Sequence, residues 1–140
     1  MTRVLCLDYG EKRVGVAISD PFGQMAHPLD FIPNNQNIWQ KIDDLVKHYS
    51  VQEIVLGLPL NRNGHDTQKT KEVRAFKDSL SHKVPIPIHL QDERYSSKAV
   101  EKQLIEKKIK REKRKQIIDS QAAAFILNGF LMKKNGIDSF

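Results

Sequence analysis

The stretch VLCLDYGEKRVGVAISD, residues 4–20, contains two apolar runs separated by a short polar segment. Val4 to Leu7 form the first run, which ends at Asp8, and Val14 to Ile18 form the second. Short runs rich in Val, Ile and Leu that are bounded by turn residues favour buried strands. The stretch therefore predicts two antiparallel strands joined by a tight turn, with an acidic side chain at the end of the first.

The residues that follow predict a third strand and then an alternation of helices and strands. Met25 to Ile32 is a weaker strand candidate, interrupted by Pro28, which would complete an antiparallel meander. Apolar spacing next predicts helix over 38–49, strand over 53–58, helix over 73–80 and strand over 86–90. Such alternation implies parallel pairing of the later strands.

The last third of the chain predicts two helices. One can be capped by Ser96 or Ser97, and the other runs from about Ile117 to Met132 with a basic segment before it. With 140 residues, the chain is long enough to bury an ordinary core but short for two domains. We therefore predict a single α/β domain over residues 1–140.

Composition limits the class of protein. Hydrophobic residues make up 39% and charged residues 29%, and no apolar run approaches the roughly 20 residues that a membrane span needs. The first ten residues lack the zones of a signal peptide, and Cys6, the single cysteine, is expected to be a small core residue. The expectation is a cytoplasmic protein without a disulfide and without a membrane partner.

The net charge of +6 is confined to one segment. KKIKREKRK, residues 107–115, carries seven basic residues and one acidic residue, so the rest of the chain has 16 of each. A basic run is often a solvated helix surface. Because this one precedes a conspicuous acid, Asp119, we favour binding of a phosphate backbone.

Three acidic positions are unusual. Asp8 ends one predicted strand, Asp92 and Glu93 follow the last one, and Asp119 shares an apolar helix face with Ala123, Ile126 and Phe130. Each has an ordinary alternative: an Asx turn, a solvated loop and a first-turn acid, respectively. Two carboxylates about 4 Å apart repel by about 4 kcal/mol at an effective dielectric of about 20, so three gathered together need a cation.

The ligand type predicts which cation. Oxygen ligands without a neighbouring His or Cys cluster suit Mg²⁺ or Mn²⁺, and the scattered histidines disfavour zinc. Such carboxylate sites support phosphodiester hydrolysis, with two ions roughly 3.5 to 4 Å apart. We therefore predict a metal-dependent hydrolase acting on ester bonds.

Four blocks of the sequence resemble a known family. LDYGEKRVGVAISDP, VLGLPLNRNG, DERYSS with Ala99, and KQIIDSQAAAFILNGFL are similar to the YqgF family of small bacterial proteins, also called RuvX, in order and spacing from Leu7 to Leu131. The resemblance implies an RNase H-like fold with a mixed five-stranded sheet. It also implies a nuclease that processes the 5′ end of pre-16S rRNA in ribosome biogenesis, or alternatively a Holliday-junction resolvase.

The resemblance assigns the catalytic and metal-binding positions to Asp8, Glu93 and Asp119. Many RNase H-like nucleases take an acid from the end of the fourth strand, whereas GLPLNRNG contains none, so Glu93 must substitute for it. Lys12 and Arg13, in the hairpin turn, and Asn61 and Arg94 are expected to contact substrate. The further substrate-binding candidates are the basic residues Lys107, Lys108, Lys110, Arg111, Lys113, Arg114 and Lys115.

The expected partner is nucleic acid, either structured RNA such as pre-rRNA or branched DNA, bound by a monomer or a homodimer. No aromatic platform for bases is visible in the sequence. A non-catalytic RNase H-like binding protein that acts as an assembly factor is a second hypothesis. An ATPase of the actin and sugar-kinase type is disfavoured because those enzymes use two such domains.

Overall fold

The protein contains a five-stranded mixed sheet with helices on both faces. The computed structural model describes residues 3–93 and 110–135, with the backbone alone for residues 111–121. The strands lie in the order β3-β2-β1-β4-β5, where β1 to β3 form an antiparallel meander and β4 and β5 are parallel to β1. The predicted mixed sheet is therefore confirmed.

The strand bounds are close to the predictions, except where proline is involved. The strands are β1 (Arg3–Asp8), β2 (Arg13–Ser19), β3 (Ala26–Pro33), β4 (Val51–Leu58) and β5 (Ile88–Asp92). Strand β3 continues through Pro28, because an edge strand can direct a residue without an N–H away from its neighbour. Strand β5 begins only after Pro87, whose carbonyl accepts a hydrogen bond from Ile54 N at 2.9 Å.

Two helices cover one face of the sheet. They are α1 (Ile38–Tyr49) and α2 (Gln68–Ser81), and they pack on the larger of two buried clusters, which includes Leu5, Leu7, Ile54 and Leu56. Alternate residues of the same strands, such as Val4, Cys6 and Val55, form the smaller cluster on the opposite face. Both faces of the central strands are therefore buried, as expected for continuous apolar runs.

The third described helix, α3 (Arg111–Lys134), covers that opposite face and contacts all five strands. Ala123, Ile126 and Leu127 are buried there. The helix begins six residues before the predicted Ile117, so the part of the basic run from Arg111 onward is helical and does not lie between helices. The predicted start was too late because it relied on apolar spacing, to which Lys and Arg add nothing although they are good helix formers.

Polar contacts near the end of α3 show in which direction the helix crosses the sheet. Lys134 Nζ lies 2.5 Å from Glu53 Oε2, and Asn128 Oδ1 accepts a hydrogen bond from Ala26 N at 3.0 Å. Both contacts lie at the edge of the sheet where β1 and β4 begin. The start of the helix is therefore directed toward the opposite edge, where Asp8 ends β1.

Within the described ranges, none of the helices combines the length and the apolar composition that crossing a membrane requires.

Candidate active site

Parallel pairing brings two of the predicted acids to one edge of the sheet. Strands β1, β4 and β5 all end there, so Asp8 at the end of β1 and the pair Asp92 and Glu93 at the end of β5 share this edge, with β4 between them. Glu93 is held in place by its backbone N–H, which donates to the Leu58 carbonyl at 3.3 Å. This edge is where open α/β sheets bind ligands.

Gly57 leaves room for the Glu93 carboxylate between β1 and β5. A Cβ atom at this position would overlap Glu93 Oε2 and would lie 2.7 Å from Ile126 Cδ1. The glycine stands on β4, the strand that separates β1 from β5. Because it has no side chain, the Glu93 carboxylate lies across β4 on the face that α3 covers.

The position of the two carboxylates changes the ionisation of both. Burial, and then the nearby charge of Asp8, raises the pKa of Glu93 to about 7, while Lys69 acts in the opposite direction. Burial also raises the pKa of Asp8, and Lys69 again opposes the shift. Two half-buried acids have thus been gathered at a cost to the folded protein, which is the pattern expected of a functional site.

This cost predicts a pH-dependent stability. Because the folded-state pKa of Glu93 is raised, its contribution to stability is fully present below about pH 4.5 and is lost as the pH rises through about 7. Without divalent cations, Glu93→Gln should therefore be more stable than the wild type at about pH 8, by on the order of 1–2 kcal/mol. Urea denaturation of both proteins at about pH 4.5 and at about pH 8 measures this difference in stability.

The control is Glu72→Gln, the same change at a half-buried position on α2. It should follow the wild-type curve at every pH. If Glu93→Gln were no more stable than the wild type at about pH 8, the proposed cost of holding a charged Glu93 half-buried beside Asp8 would be wrong.

An open cleft of about 620 Å³ lies beside Asp8. Its charged lining includes Lys12, Arg13 and Lys69, and Ala122 to Ala124 of α3 form part of its wall. The hairpin turn, which contains Lys12 and leads into β2 at Arg13, is held by the Asn34 side chain, which donates to the Gly10 carbonyl at 2.8 Å. The two predicted substrate contacts in the hairpin therefore lie in one cleft with a predicted catalytic acid.

Lys69 was not predicted from the sequence. It lies in the first turn of α2, which begins with a reciprocal cap: Thr70 N donates to Thr67 Oγ1, and Thr67 N donates to Thr70 Oγ1 at 2.9 Å. The Thr70 hydroxyl also donates to the Pro59 carbonyl, which fixes the helix start against the end of β4. The usual sequence signal for this cap has Glu or Gln at the last position, so T-Q-K-T did not indicate a helix start.

Asp119 is placed by its backbone alone. It lies in α3 four residues before Ala123, and a Cβ atom at Gly15, the β2 partner of Asp8, would contact Ala123 Cβ at 3.7 Å. At a rise of 1.5 Å per residue, Asp119 is about 6 Å beyond that contact, on the side of the carboxyl edge. Its side chain is outside the described part of the structure.

The basic run is described in part. Lys110 is exposed, and the backbone of Arg111, Lys113, Arg114 and Lys115 forms the start of α3, roughly 12–18 Å beyond Ala123. Arg94, Lys107 and Lys108 lie outside the described residues. The helix therefore carries part of the basic run past the carboxyl edge of the sheet.

Other polar residues in the predicted motifs have structural contacts. The Asn61 side-chain oxygen accepts hydrogen bonds from Asn63 N and His65 N, which holds the exposed loop after β4. Asp20 caps the turn between β2 and β3 through three backbone N–H groups, as its sequence position suggests, and Ser19 Oγ accepts from Val4 N at 2.8 Å.

The donor set fits a hard divalent cation. Asp8 and Glu93 provide carboxylate oxygens in a half-buried position, which suits Mg²⁺ or Mn²⁺. Among the side chains that the structure describes, no three His, Cys, Asp or Glu residues are grouped as metal ligands. A complete site therefore requires a ligand beyond this pair.

Comparison with known proteins gives consistent matches over most of the chain. Residues 2–133 match the family model described as "RuvX: Holliday junction resolvase". A "Putative pre-16S rRNA nuclease" from Sulfurihydrogenibium sp. (strain YO3AOP1) is 44% identical over 133 residues, covering 94% of this chain and 90% of the relative. A protein of the same name from Bacillus cereus (strain AH187) is 43% identical over 136 residues, covering 94% and 99%.

A solved structure supports the fold. The chain is similar to T. thermophilus RuvC in complex with a Holliday junction substrate, with a TM-score of 0.58, 11% sequence identity and 98% coverage of both chains. At this identity the similarity concerns the fold, which is the RNase H-like arrangement that the sequence resemblance implied.

Proposed function

The chain belongs to the RuvX family, and we propose that it is a metal-dependent nuclease whose substrate is the 5′ end of pre-16S rRNA. The observation that carries the proposal is the pairing of Asp8 and Glu93 across Gly57, beside an open cleft with cationic walls. The names of its relatives support the RNA substrate. Residues 1–140 would form a single nuclease domain.

Asp8, Glu93 and Asp119 are the residues that would hold Mg²⁺ or Mn²⁺, as two ions. Bound there, the metal supplies Lewis acidity toward the phosphoryl oxygens and the attacking water. The backbone placement of Asp119 near the carboxyl edge is compatible with its acting as the third ligand. An acid from α3 would complete the site without one at the end of β4.

The cationic residues of the chain position the substrate. Lys12 and Arg13 line the cleft beside Asp8, so they can bind the phosphates that flank the cleaved bond. The basic run would bind the backbone farther along, because α3 carries it past the edge of the sheet. Positive side chains at a helix start oppose the helix dipole, a cost that binding of phosphate would offset.

Lys69 should contribute to cleavage because it acts on the pKa of both acids and it lines the cleft. Lys69→Ala should lower kcat/KM by about ten-fold to a hundred-fold, the range expected for a hydrogen bond to a charged group. The slope of log affinity against log salt should become shallower by about 1. Cleavage kinetics and a salt titration of binding measure these effects.

Lys71→Ala is the matched control for Lys69, since it removes the same charge from an exposed position two residues along α2. It should leave kcat/KM within about two-fold of the wild type. Equal effects of the two substitutions would mean that Lys69 acts only through the overall charge of the protein.

A second candidate substrate is branched DNA, which the description of the family model favours. The two candidates are distinguished by incubating the purified protein with a labelled 16S precursor RNA and with a four-way DNA junction, in Mg²⁺, Mn²⁺ or EDTA, and measuring cleavage. We expect metal-dependent cleavage of the RNA near the mature 5′ end. Symmetric cleavage of the junction alone, by a dimer, would favour the second candidate, because a resolvase needs two active sites.

A further inference from the structure

The register between β2 and β3 places an exposed aromatic residue at the rim of the cleft. Val14 pairs with Ile32 and Val16 pairs with Leu29, so Asp30 and Phe31 together stand opposite Gly15. Two residues facing one define a β-bulge, a feature common on edge strands and beside active sites, where it changes the direction of a side chain. The bulge is thus centred opposite a residue of the candidate site.

The bulge lies in the same cross-strand row as Asp8. Gly15 pairs with Asp8 on β1 and faces Phe31 on β3, so two strand spacings separate Asp8 from Phe31. At about 4.8 Å per spacing this is roughly 10 Å, a distance that adjacent nucleotides of one strand can span. A strand with a phosphate at Asp8 can therefore place a nearby base at Phe31.

Phe31 has the surroundings of a binding surface. Its side chain is 48% exposed although it is a large apolar residue, and it lines the same cleft as Asp8 and Lys12. The Arg13 guanidinium lies over its ring, 4.9 Å from the ring centre. Arginine held in this way is pre-organised, and it places a positive charge for phosphate beside an aromatic face for a base.

We infer that Phe31, supported by Arg13, stacks on an unpaired base next to the cleaved bond. This inference rests on the proposed function and adds the substrate class: a strand that is single or locally unpaired at the cleavage point. Bases inside a duplex already stack on each other, whereas a base in a single strand is free to stack on an aromatic side chain. The paired form is therefore a poorer substrate at this position.

The test measures binding by fluorescence anisotropy in Mg²⁺, with Asp8→Asn as the parent protein so that the probe is not cleaved. The probes are a short single-stranded RNA, a series of the same strand with one abasic site at each successive position, and the matching duplex. Phe31→Ala should bind the single strand roughly five-fold to a hundred-fold more weakly than the parent, the range for one stacked base. Phe31→Trp should restore the affinity.

Phe22→Ala is the control, because Phe22 is 75% exposed in the turn between β2 and β3 and is not among the residues that line the cleft. It should bind as the parent does. In the parent, one position of the abasic series should weaken binding, and in Phe31→Ala that position should have no effect. The affinity for the duplex should be the same in both proteins.

Two results would overturn the inference: equal binding by Phe31→Ala and Phe22→Ala, or a Phe31→Ala defect as large on the duplex as on the single strand. If the wild type cleaves RNA and either result is found, the stacking role fails and the proposed function stands. If the wild type neither binds nor cleaves nucleic acid, both fail.

Discussion

Replacing Asp8 with Asn should lower the rate of cleavage by at least roughly a thousand-fold, the scale seen when one member of a catalytic unit is removed. The change removes one carboxylate charge from the pair that would hold the cation, and it leaves the shape of the side chain almost unaltered. Glu93→Gln should have a loss of similar size. The double variant should be little worse than either single one, because the two acids act as one unit.

The same variants should remain folded. Burial raises the pKa of both acids, so removal of either charge relieves a cost in the metal-free protein near neutral pH. Single-turnover cleavage assays, together with thermal unfolding of the same samples, separate loss of catalysis from loss of the fold. Loss of activity through loss of the fold would contradict this explanation.

Asp43→Asn provides the matched control for Asp8→Asn. Asp43 lies on α1, over the other face of the sheet, and pairs with Lys47 at 2.8 Å on the surface. The substitution should leave the cleavage rate within about two-fold of the wild type, because Asp43 is on the other face of the sheet from the two acids. The protein should also stay folded, since exposed pairs of this kind contribute little to stability. A comparable loss of rate in Asp43→Asn would remove the special role of Asp8.

Gly57→Ala should impair both the fold and the site. The added methyl group would overlap Glu93 Oε2 and press on Ile126 of α3, so either the carboxylate or the helix must move. Overpacking of this kind costs typically about 1–3 kcal/mol. Displacement of a catalytic group by about 1 Å can cost about a hundred-fold in rate. Urea denaturation and cleavage assays measure the two losses.

Gly129→Ala is the natural comparison, because Gly129 lies in α3, and a Cβ atom there would meet Gln91 Nε2 at 3.4 Å, the far end of a flexible side chain. Alanine is the better helix former by roughly 0.5–1 kcal/mol, so stability should stay the same or rise slightly. Activity should be retained. If the Gly57→Ala protein were as stable and active as Gly129→Ala, the room that Gly57 leaves for the Glu93 carboxylate would be unimportant.

Much of the sheet could be predicted because its central strands are buried on both faces. The runs Val4 to Leu7 and Val14 to Ile18 are short and apolar throughout, which indicates strands buried on both faces. Parallel pairing then brings Asp8 and Glu93 to one edge of the sheet. The presence of both acids at this edge was therefore predictable. Their approach across β4 was not, because it depends on the face to which Gly57 belongs.

The remaining features depend on local geometry that apolar spacing does not record. Lys69 was missed because a Thr-to-Thr cap is a weak signal for the start of a helix. The start of α3 was missed because its first residues are mostly charged and do not show the apolar spacing by which a helix is recognised. Phe31 was missed because a bulge in an edge strand changes which residues face the cleft, and that register is set by pairing with β2.

Calorimetric titration of the metal-free protein with Mn²⁺ near pH 7 tests the central claim most directly. Because the pKa of Glu93 is raised to about 7, about half of these carboxyl groups are protonated, and binding should release protons. We expect wild-type protein to bind Mn²⁺ with proton release detected in buffers of different ionisation enthalpy, and Asp8→Asn and Glu93→Gln to lose this binding. Mn²⁺ binding that is unchanged in both variants would contradict the assignment of Asp8 and Glu93 as the metal site.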